Sequence, residues 1–483
     1  MTATSTRPVR GATRAPVRAF LDRPLASFHL VLGAGGALVA LGLVMVFSAS
    51  SAESLLLSDP GSRSPFTVFD GQAVFVVLGL VAVWLGLRFR PSTYRRLAGP
   101  ALLGSIFMLI IVLFPQIGYE KFGARRWLDI GLFQLQPSEV AKLAFLLWAA
   151  DLLVRKQKML GEWRHLLVPL VPVALLLGGL IMLEPDLGTT LCFVLILLGL
   201  LWTVGAPLSM FLSLLAGLVA GIVALIKLEP YRMQRVLTYL DPFADPQGAG
   251  LQSIRGMYAL ATGGWWGVGL GNSRMKWGLL PHGETDYIFA IIGEEMGFVG
   301  CLIVLALFAV LAYAGVRIAR RTVDPFIRLT SSAVVVWLVG QAIINVGYVV
   351  GLLPVTGVPL PMISSGGTSL ILTMFILGML AGFARHEPDA VAHLRRHGQG
   401  RIARLLRLPV PRAAVDGLPR RRRPAPARSQ ARGAGAGAGR SGDTWSGGTR
   451  SRAGGTRSRP DRPPLADHRP QADRRPPAGA TRR

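Results

Sequence analysis

One carboxylate stands out for where it sits. In the run Leu279-Leu280-Pro281-His282-Gly283-Glu284-Thr285-Asp286-Tyr287-Ile288-Phe289-Ala290, Asp286 closes a long polar stretch just as an apolar one begins. A charge beside low-dielectric surroundings is costly unless something pairs with it or uses it. A carboxylate so placed has two chemical uses, as a proton acceptor or as a metal ligand. A second pair of charges, Glu139 and Lys142, lies inside another apolar run that starts at Pro137. Pro137 suits the first turn of a helix, and residues three apart share a helix face. Pairing is the cheapest way to keep both charged, so a structural ion pair and a substrate contact are equally good readings. Lys121, Arg125 and Arg126 cluster before that run, and Arg232, Arg235, Arg255, Arg274 and Lys276 before Asp286. Cations gathered near a carboxylate are candidates for binding an anion.

The elements that carry these residues follow from composition. The chain has 483 residues, 51% of them hydrophobic and 16% charged, and a mean hydropathy of +0.46. That balance excludes an ordinary soluble protein. About ten apolar runs approach the roughly 20 residues a bilayer crossing needs. They fall near 27–49, 71–88, 98–115, 138–154, 166–183, 189–204, 208–228, 287–314, 327–350 and 368–385. The expectation is an all-α polytopic membrane protein of about ten transmembrane helices, with a large loop, 228–286, between the seventh and eighth. Nine spans would also fit, because the breaks at 184–188 and 205–207 are short. Arg88, Arg90, Arg95 and Arg96, then Arg155, Lys156, Lys158 and Arg164, then Arg317, Arg320, Arg321 and Arg328 mark alternate connections as cytoplasmic. Both termini are then cytoplasmic, and the Asp286 loop lies outside.

The net charge of +26 sits largely in the tail, where residues 386–483 hold 23 Arg against seven Asp and Glu. This Arg, Pro, Gly and Ala sequence lacks the apolar content to fold, and a lipid-attracted cytoplasmic segment explains it better than nucleic-acid binding. Residues 1–25 read as a basic, disordered N-terminus leading into an uncleaved anchor. Cys192 and Cys301 both lie in apolar runs, which argues against a disulfide or a cysteine metal site. The stretch Gly263-Gly264-Trp265-Trp266-Gly267-Val268-Gly269-Leu270-Gly271 lacks the Gly-Lys-Ser/Thr ending of a phosphate-binding loop, so packing is the better reading of its glycines.

Several short motifs occur in order along the core. They are Arg126-Trp127-Leu128, Gln136-Pro137-Ser138-Glu139 with Lys142, Glu184-Pro185-Asp186-Leu187-Gly188, and Asp241-Pro242 with Gln247-Gly248. Gly269-Leu270-Gly271 with Lys276, Thr285-Asp286 before Glu294-Glu295, and Pro354-Val355-Thr356-Gly357 before Pro359-Leu360-Pro361 complete the set. On this hydropathy profile they resemble the SEDS family of cell-wall polymerases (FtsW, RodA and SpoVE), from Phe47 to Ser369. The resemblance implies a glycosyltransferase that joins lipid II units into glycan strands at the outer membrane face. It implies Asp286 as general base, with Arg126, Lys142, Arg232, Arg235 and Lys276 stabilising the departing pyrophosphate. Trp127 matches an important family tryptophan, although anchoring at a membrane interface explains it too. Glu139 would line the same cavity, and Glu294, about two helical turns beyond Asp286, would face it. A divalent cation, Mg or Mn, could share the task, with Asp286 then a ligand; no organic cofactor is implied.

The expected partners are lipid II, a class B penicillin-binding protein transpeptidase and, through the tail, divisome proteins. The long termini lean toward an FtsW-type septal enzyme over a RodA-type elongation enzyme. One departure is Ser365, where members often carry an aromatic residue; a tuned loop conformation is the expected effect. The competing class is a lipid-precursor flippase, but a transporter's key polar groups gather near the midplane, and here the chemistry lies in outer loops.

Overall fold

The computed structural model describes residues 20–57, 67–121, 124–131, 134–157, 168–228 and 230–411, all within one compact unit, Met1–Arg420. The basic segment 1–19 and the tail from 412 onward lie outside the described residues. Numbered from Ala26, the helices are α1 (Ala26–Leu57), α2 (Thr67–Arg88), α3 (Pro91–Val112), α4 (Pro137–Arg155), α5 (Leu170–Leu183), α6 (Leu187–Val204) and α7 (Leu208–Leu228). Then come α8 (Pro230–Leu240), α9 (Leu251–Gly263), α10 (Ile288–Arg321), α11 (Pro325–Val349), α12 (Gly367–Ala384), α13 (Pro388–His397) and α14 (Arg401–Leu405).

Each of the ten apolar runs carries a helix among the described residues. Among the described residues, seven helices are long and apolar enough to cross a membrane: α1, α2, α3, α6, α10, α11 and α12. The other three fall short for visible reasons. Helix α4 carries Glu139, Lys142, Asp151 and Arg155, α5 has only 14 residues, and only Leu208–Gly221 of α7 counts here among the described residues. The chain is a multi-pass membrane protein.

Local chemistry sets the helix ends. Pro137 and Pro325 occupy first turns, where a missing N–H is harmless. The Asp186 side chain caps α6 by accepting from Thr189 N at 3.0 Å, and Gly205, at φ 82°, ends that helix in the left-handed region. Small residues bring α2 and α12 together: a Cβ on Gly86 would lie 2.5 Å from Phe375 O, and one on Gly378 would strike Val83 O.

Three features depart from the expected outline. The loop before α4 contains a small antiparallel sheet, β1 (Gly118–Lys121), β2 (Ala124–Asp129) and β3 (Gln134–Leu135), in the order β1-β2-β3. Register places Tyr119 opposite Trp127 and Leu128 opposite Leu135. The 228–286 loop contains two helices, α8 and α9, and is irregular between and beyond them. The region beyond 386, expected to be unstructured, begins with α13, whose Ala390, Val391 and Leu394 are buried along one face. Asp389 in its first turn and Arg395 and Arg396 in its last complement the helix dipole.

Helix α10 is broken at Gly297 (φ 67°, ψ −165°). In a membrane the freed backbone groups must find new partners. The Gly-rich stretch supplies them. Val268 N and Gly269 N donate to Glu294 O and Glu295 O at 2.9 and 3.0 Å. Phe298 N and Val299 N donate back to Gly264 O and Trp265 O at 2.8 and 3.3 Å. The glycines therefore serve close backbone packing. A Cβ on Gly297 would lie 2.5 Å from Trp265 O in a conformation open essentially to glycine alone. Gly297→Ala is expected to cost at least about 1–3 kcal/mol, read as a lower unfolding temperature in detergent. Gly36→Ala, which points into open space on a helix, is the control and is expected to leave that temperature unchanged or slightly raised.

Candidate active site

Described residues of the connections before α4, between α5 and α6, before α10 and before α12 meet at one end of the helices. The opposite end is held by Arg317 Nη2 to Leu21 O at 2.5 Å and by the Arg95–Asp151 pair at 2.6 Å. At the first end lies a cavity of about 600 Å³. Of the nine residues singled out from sequence, Asp286, Arg126, Trp127, Glu139, Lys142 and Arg235 line it.

Asp286 is held by its backbone, which leaves its carboxylate for the cavity. Asn345 Nδ2 donates to Asp286 O at 2.9 Å, and the Tyr348 hydroxyl lies 2.9 Å from the same oxygen. Ser364 Oγ donates to Thr285 O at 2.7 Å and Ser365 N to Glu284 O at 2.9 Å. Ser365, the departure noted in the sequence, thus fastens the Asp286 loop through its main chain. Thr285 N and Tyr287 N both turn back to His282 O, at 3.2 and 3.1 Å. Gly357, at φ 72°, faces the carboxylate, and a Cβ there would lie 3.5 Å from Asp286 Oδ2. Burial pushes the Asp286 carboxyl up to about 6, and nearby Asp186 adds to that push. His282, Arg126 and Arg235 pull the other way. An acid poised there is an effective proton acceptor near neutral pH.

Glu139 and Lys142 form a buried pair in the first turns of α4, Lys142 Nζ to Glu139 Oε1 at 2.8 Å. The ammonium also sits 4.9 Å from the centre of the Trp337 ring, a cation–π contact. Glu139 Oε2 has no hydrogen-bond partner among the described residues.

Arg126 does more than face the cavity. Its Nε donates to Glu184 O at 2.9 Å and its Nη2 to Pro185 O at 2.5 Å, while Nη1 lies 3.7 Å from Asp186 Oδ2. The guanidinium fork grips the turn between α5 and α6. Glu184, buried there with neither carboxyl oxygen hydrogen-bonded among the described residues, is pushed up to about 9, first by burial and then by Asp186, against the pull of Arg126. Burial thus disfavours its charged form, while the Arg126 guanidinium lies close to the Asp186 carboxylate. Arg126→Lys keeps the charge and loses the fork. It is expected to lower stability by about 1.5–3 kcal/mol, the range for hydrogen bonds to charged groups. An unfolding temperature equal to wild type would show that the fork is not a clamp.

Arg235 reaches the cavity from α8 and donates to Val355 O at 3.4 Å. The backbone of Arg232 lies on α8, but its side chain is outside the described residues. Two expectations are corrected. Glu294 and Lys276 do not line the cavity; they belong to a separate buried cluster at the α10 break. There Glu294 accepts from Ser273 Oγ at 2.5 Å and Arg274 N at 3.1 Å, and Glu295 accepts from Ser48 Oγ at 2.6 Å. Lys276 Nζ donates to Gly271 O at 2.5 Å and lies 4.0 Å from Glu295 Oε1. Asp286 precedes α10, whose first residue is Ile288, so helical spacing within α10 does not carry Glu294 to its side.

Sequence reasoning missed Asn345 and Tyr348, and gave no role to Glu184, Asp186, Gln136 or Gln252. A signal existed for Asn345, since a carboxamide in the middle of an apolar run needs a partner. Gln136 Nε2 approaches Asp186 Oδ2 at 3.5 Å, and Asp186 also accepts from Thr189 Oγ1 at 2.8 Å. The whole arrangement can take a proton from a hydroxyl at Asp286 and receive an anionic group between Arg126, Lys142 and Arg235.

Comparison with known proteins bears on these features together. Residues 28–389 match the family model of FtsW, RodA and SpoVE, described as cell cycle proteins. The chain is 45% identical over 393 residues to the probable peptidoglycan glycosyltransferase FtsW of Mycobacterium tuberculosis, covering 81% of this chain and 74% of that one. It is 37% identical to stage V sporulation protein E of Bacillus subtilis, covering 72% of this chain and 94% of that protein. Among solved structures it resembles a chain of a peptidoglycan synthase complex that coordinates polymerization and crosslinking. That match has 30% identity and a TM-score of 0.60, over 74% of this chain and 96% of that one. The rod shape determining protein RodA of Thermus thermophilus gives 28% identity and a TM-score of 0.53, over 74% and 96%. The chain belongs to the FtsW, RodA and SpoVE family of cell cycle proteins.

Proposed function

We propose that this protein is a peptidoglycan glycosyltransferase that polymerises lipid II into glycan strands during septal wall synthesis. The observation that carries the reading is Asp286, fixed by its main chain with its carboxylate in a cavity that also holds cationic side chains. Kinship with proteins named FtsW at 45% identity favours the division role over elongation. The cytoplasmic membrane is the expected site, with both termini inside and the cavity on the outer face, as the distribution of Lys and Arg implies.

In the proposed reaction the 4-hydroxyl oxygen of one sugar attacks the anomeric carbon of the other. Asp286 accepts the hydroxyl proton as the new C–O bond forms. The bond from the anomeric carbon to the pyrophosphate breaks, and the polyprenyl pyrophosphate leaves with the electron pair. Arg235 and Lys142, with whatever donors Arg126 retains, stabilise that anion. Asp286→Asn removes the acceptor and leaves the loop bonds intact.

A divalent cation that shares the task would be held jointly by the protein and the substrate, as Mg is commonly bound through one or two carboxylates plus substrate phosphates. Among the described residues no three His, Cys, Asp or Glu side chains gather to hold one. Asp186, the acid nearest in kind, is occupied by Thr189, Gln136 and Arg126. A Mg or Mn ion would therefore be held chiefly by the pyrophosphate. The proposed partner is a class B penicillin-binding protein transpeptidase, in keeping with the synthase complex resembled by this fold. Divisome proteins are the proposed partners of the Arg-rich tail.

The test is glycan synthesis from labelled lipid II by the purified protein with its transpeptidase in nanodiscs. A ladder of glycan strands is expected. Absence of polymer from folded wild-type complex would overturn the assignment.

A further inference from the structure

We infer that residues 399–411, together with the Arg88 end of α2, bind the headgroup of an anionic phospholipid, at the end of the helices opposite the Asp286 cavity. The site is independent of the polymerase reading. It begins with one face of α2, where Val77, Val81, Trp84 and Arg88 follow one another at steps of four, three and four residues. Val77 and Val81 are 61% and 50% exposed in an apolar span, so this is the face that meets lipid. Trp84 lies on the same face one turn inside the charged end of the helix, a depth that suits the amphipathic indole. The segment 399–411 is fastened at that depth. Trp84 Nε1 donates to Leu406 O at 3.0 Å, and the Arg88 guanidinium lies 5.0 Å from the centre of the Trp84 ring. Leu408 is buried, its N donates to Ala403 O at 3.0 Å, and Gln399 Nε2 donates to Leu408 O at 3.1 Å. Between them Arg407, at φ 50°, takes the left-handed conformation that reverses the chain.

What this turn leaves exposed suits a membrane boundary better than water. Leu405 is 82% exposed, next to the carbonyl seated on Trp84. Arg401, Arg404 and Arg407 are exposed around it, and Arg88 and Arg90 are exposed on the neighbouring segment. Arg401 and Leu405 lie four apart on α14 and share its face. No Asp or Glu occurs in 85–99 or in 398–411, so these cations have no acidic counterpart within their own segments. A phospholipid offers both of the matching surfaces, phosphate charge above and acyl chain below. Leu405 enters the acyl boundary, and the guanidinium forks take phosphate oxygens. A soluble acidic peptide would engage the cations and leave Leu405 in water.

The test uses the full chain carrying Leu405→Cys, labelled there with a fluorophore; Cys192 and Cys301 are buried. It is placed in nanodiscs of phosphatidylcholine and phosphatidylglycerol in a three-to-one ratio. A nitroxide on the acyl chain close to the headgroup is carried by phosphatidylglycerol in one sample and by phosphatidylcholine in the other, in equal amounts. Both are expected to quench, phosphatidylglycerol about fivefold more efficiently, the factor that one Arg contributes near an anionic surface. Adding Arg401→Gln, Arg404→Gln and Arg407→Gln keeps the charge of residues 412–483 and is expected to make the two lipids quench equally. Arg404→Gln alone gives the same comparison where the triple variant does not fold. An unquenched fluorophore would put Leu405 in water or against protein and overturn the site. Equal quenching without the Gln substitutions would overturn it too. So would a preference that the Gln variants retain in full, since the Arg-rich tail would then be its source.

Discussion

Asp286→Asn and Asp286→Ala are each expected to lower glycan polymerisation by about 10²–10⁴-fold, the range for loss of a positioned general base. Both should leave the fold intact. The bonds that fix this loop run to main-chain oxygens of residues 284–286 from Asn345, Tyr348, Ser364 and Ser365. None of them needs the Asp286 side chain. Because burial pushes that carboxyl up to about 6, wild-type activity is expected to fall as pH drops through 6, where the base becomes protonated. The sign for stability is opposite. A carboxyl raised above its ordinary value of 3.8 binds a proton more readily folded than unfolded. Its contribution is therefore most favourable at low pH and is lost as pH rises from about 4 to about 6. At pH 7.5 the Asn variant should unfold at the same temperature as wild type or somewhat higher, since it no longer holds a charge at a buried edge. An inactive variant that is also strongly destabilised would mean that Asp286 holds the loop and does no chemistry. A rate that stays level from pH 8 to 5 would remove the base assignment.

Much of this site was legible because membrane chemistry makes charges informative. Asp286, Glu139 and Lys142 were visible as charges at or inside apolar runs, and the structure places all three on one cavity. The helices were legible for the same reason, since a run of apolar residues has few alternatives in lipid. What stayed hidden depends on backbone geometry. Helical spacing carried Glu294 to the Asp286 side only if the helix already ran through Asp286, and α10 starts at Ile288, after a turn in which Tyr287 N bonds back to His282 O. Lys276 counted as a free cation until the loop folded it toward Glu295. Arg126 shows a subtler limit, because its charge was evident but not that its donors are largely engaged by Glu184 and Pro185 carbonyls. The small sheet was missed because strands of two to six residues in a polar loop carry too short a pattern to read.

The Glu139–Lys142 pair offers the other large effect, and it separates structure from chemistry where the sequence could not. Lys142 is among the largest fully buried side chains, and its ammonium lies between Glu139 and the Trp337 ring. Lys142→Met removes one member and leaves a buried carboxylate with no compensating charge. Such a break costs about 3–5 kcal/mol, and should appear as a large fall in unfolding temperature together with loss of polymer. Replacing both members by neutral groups of similar shape is often close to neutral for stability. The double variant Glu139→Gln with Lys142→Met should therefore recover most of the lost stability. Activity gives the decision. If Lys142 supplies charge to the departing pyrophosphate, the double variant is stable and still makes little glycan. If the pair only braces α4 against α11, stability and polymer return together. The cavity favours the first outcome, because both side chains face the same space as the Asp286 carboxylate. A brace alone would have no need to open a buried charge pair onto that cavity.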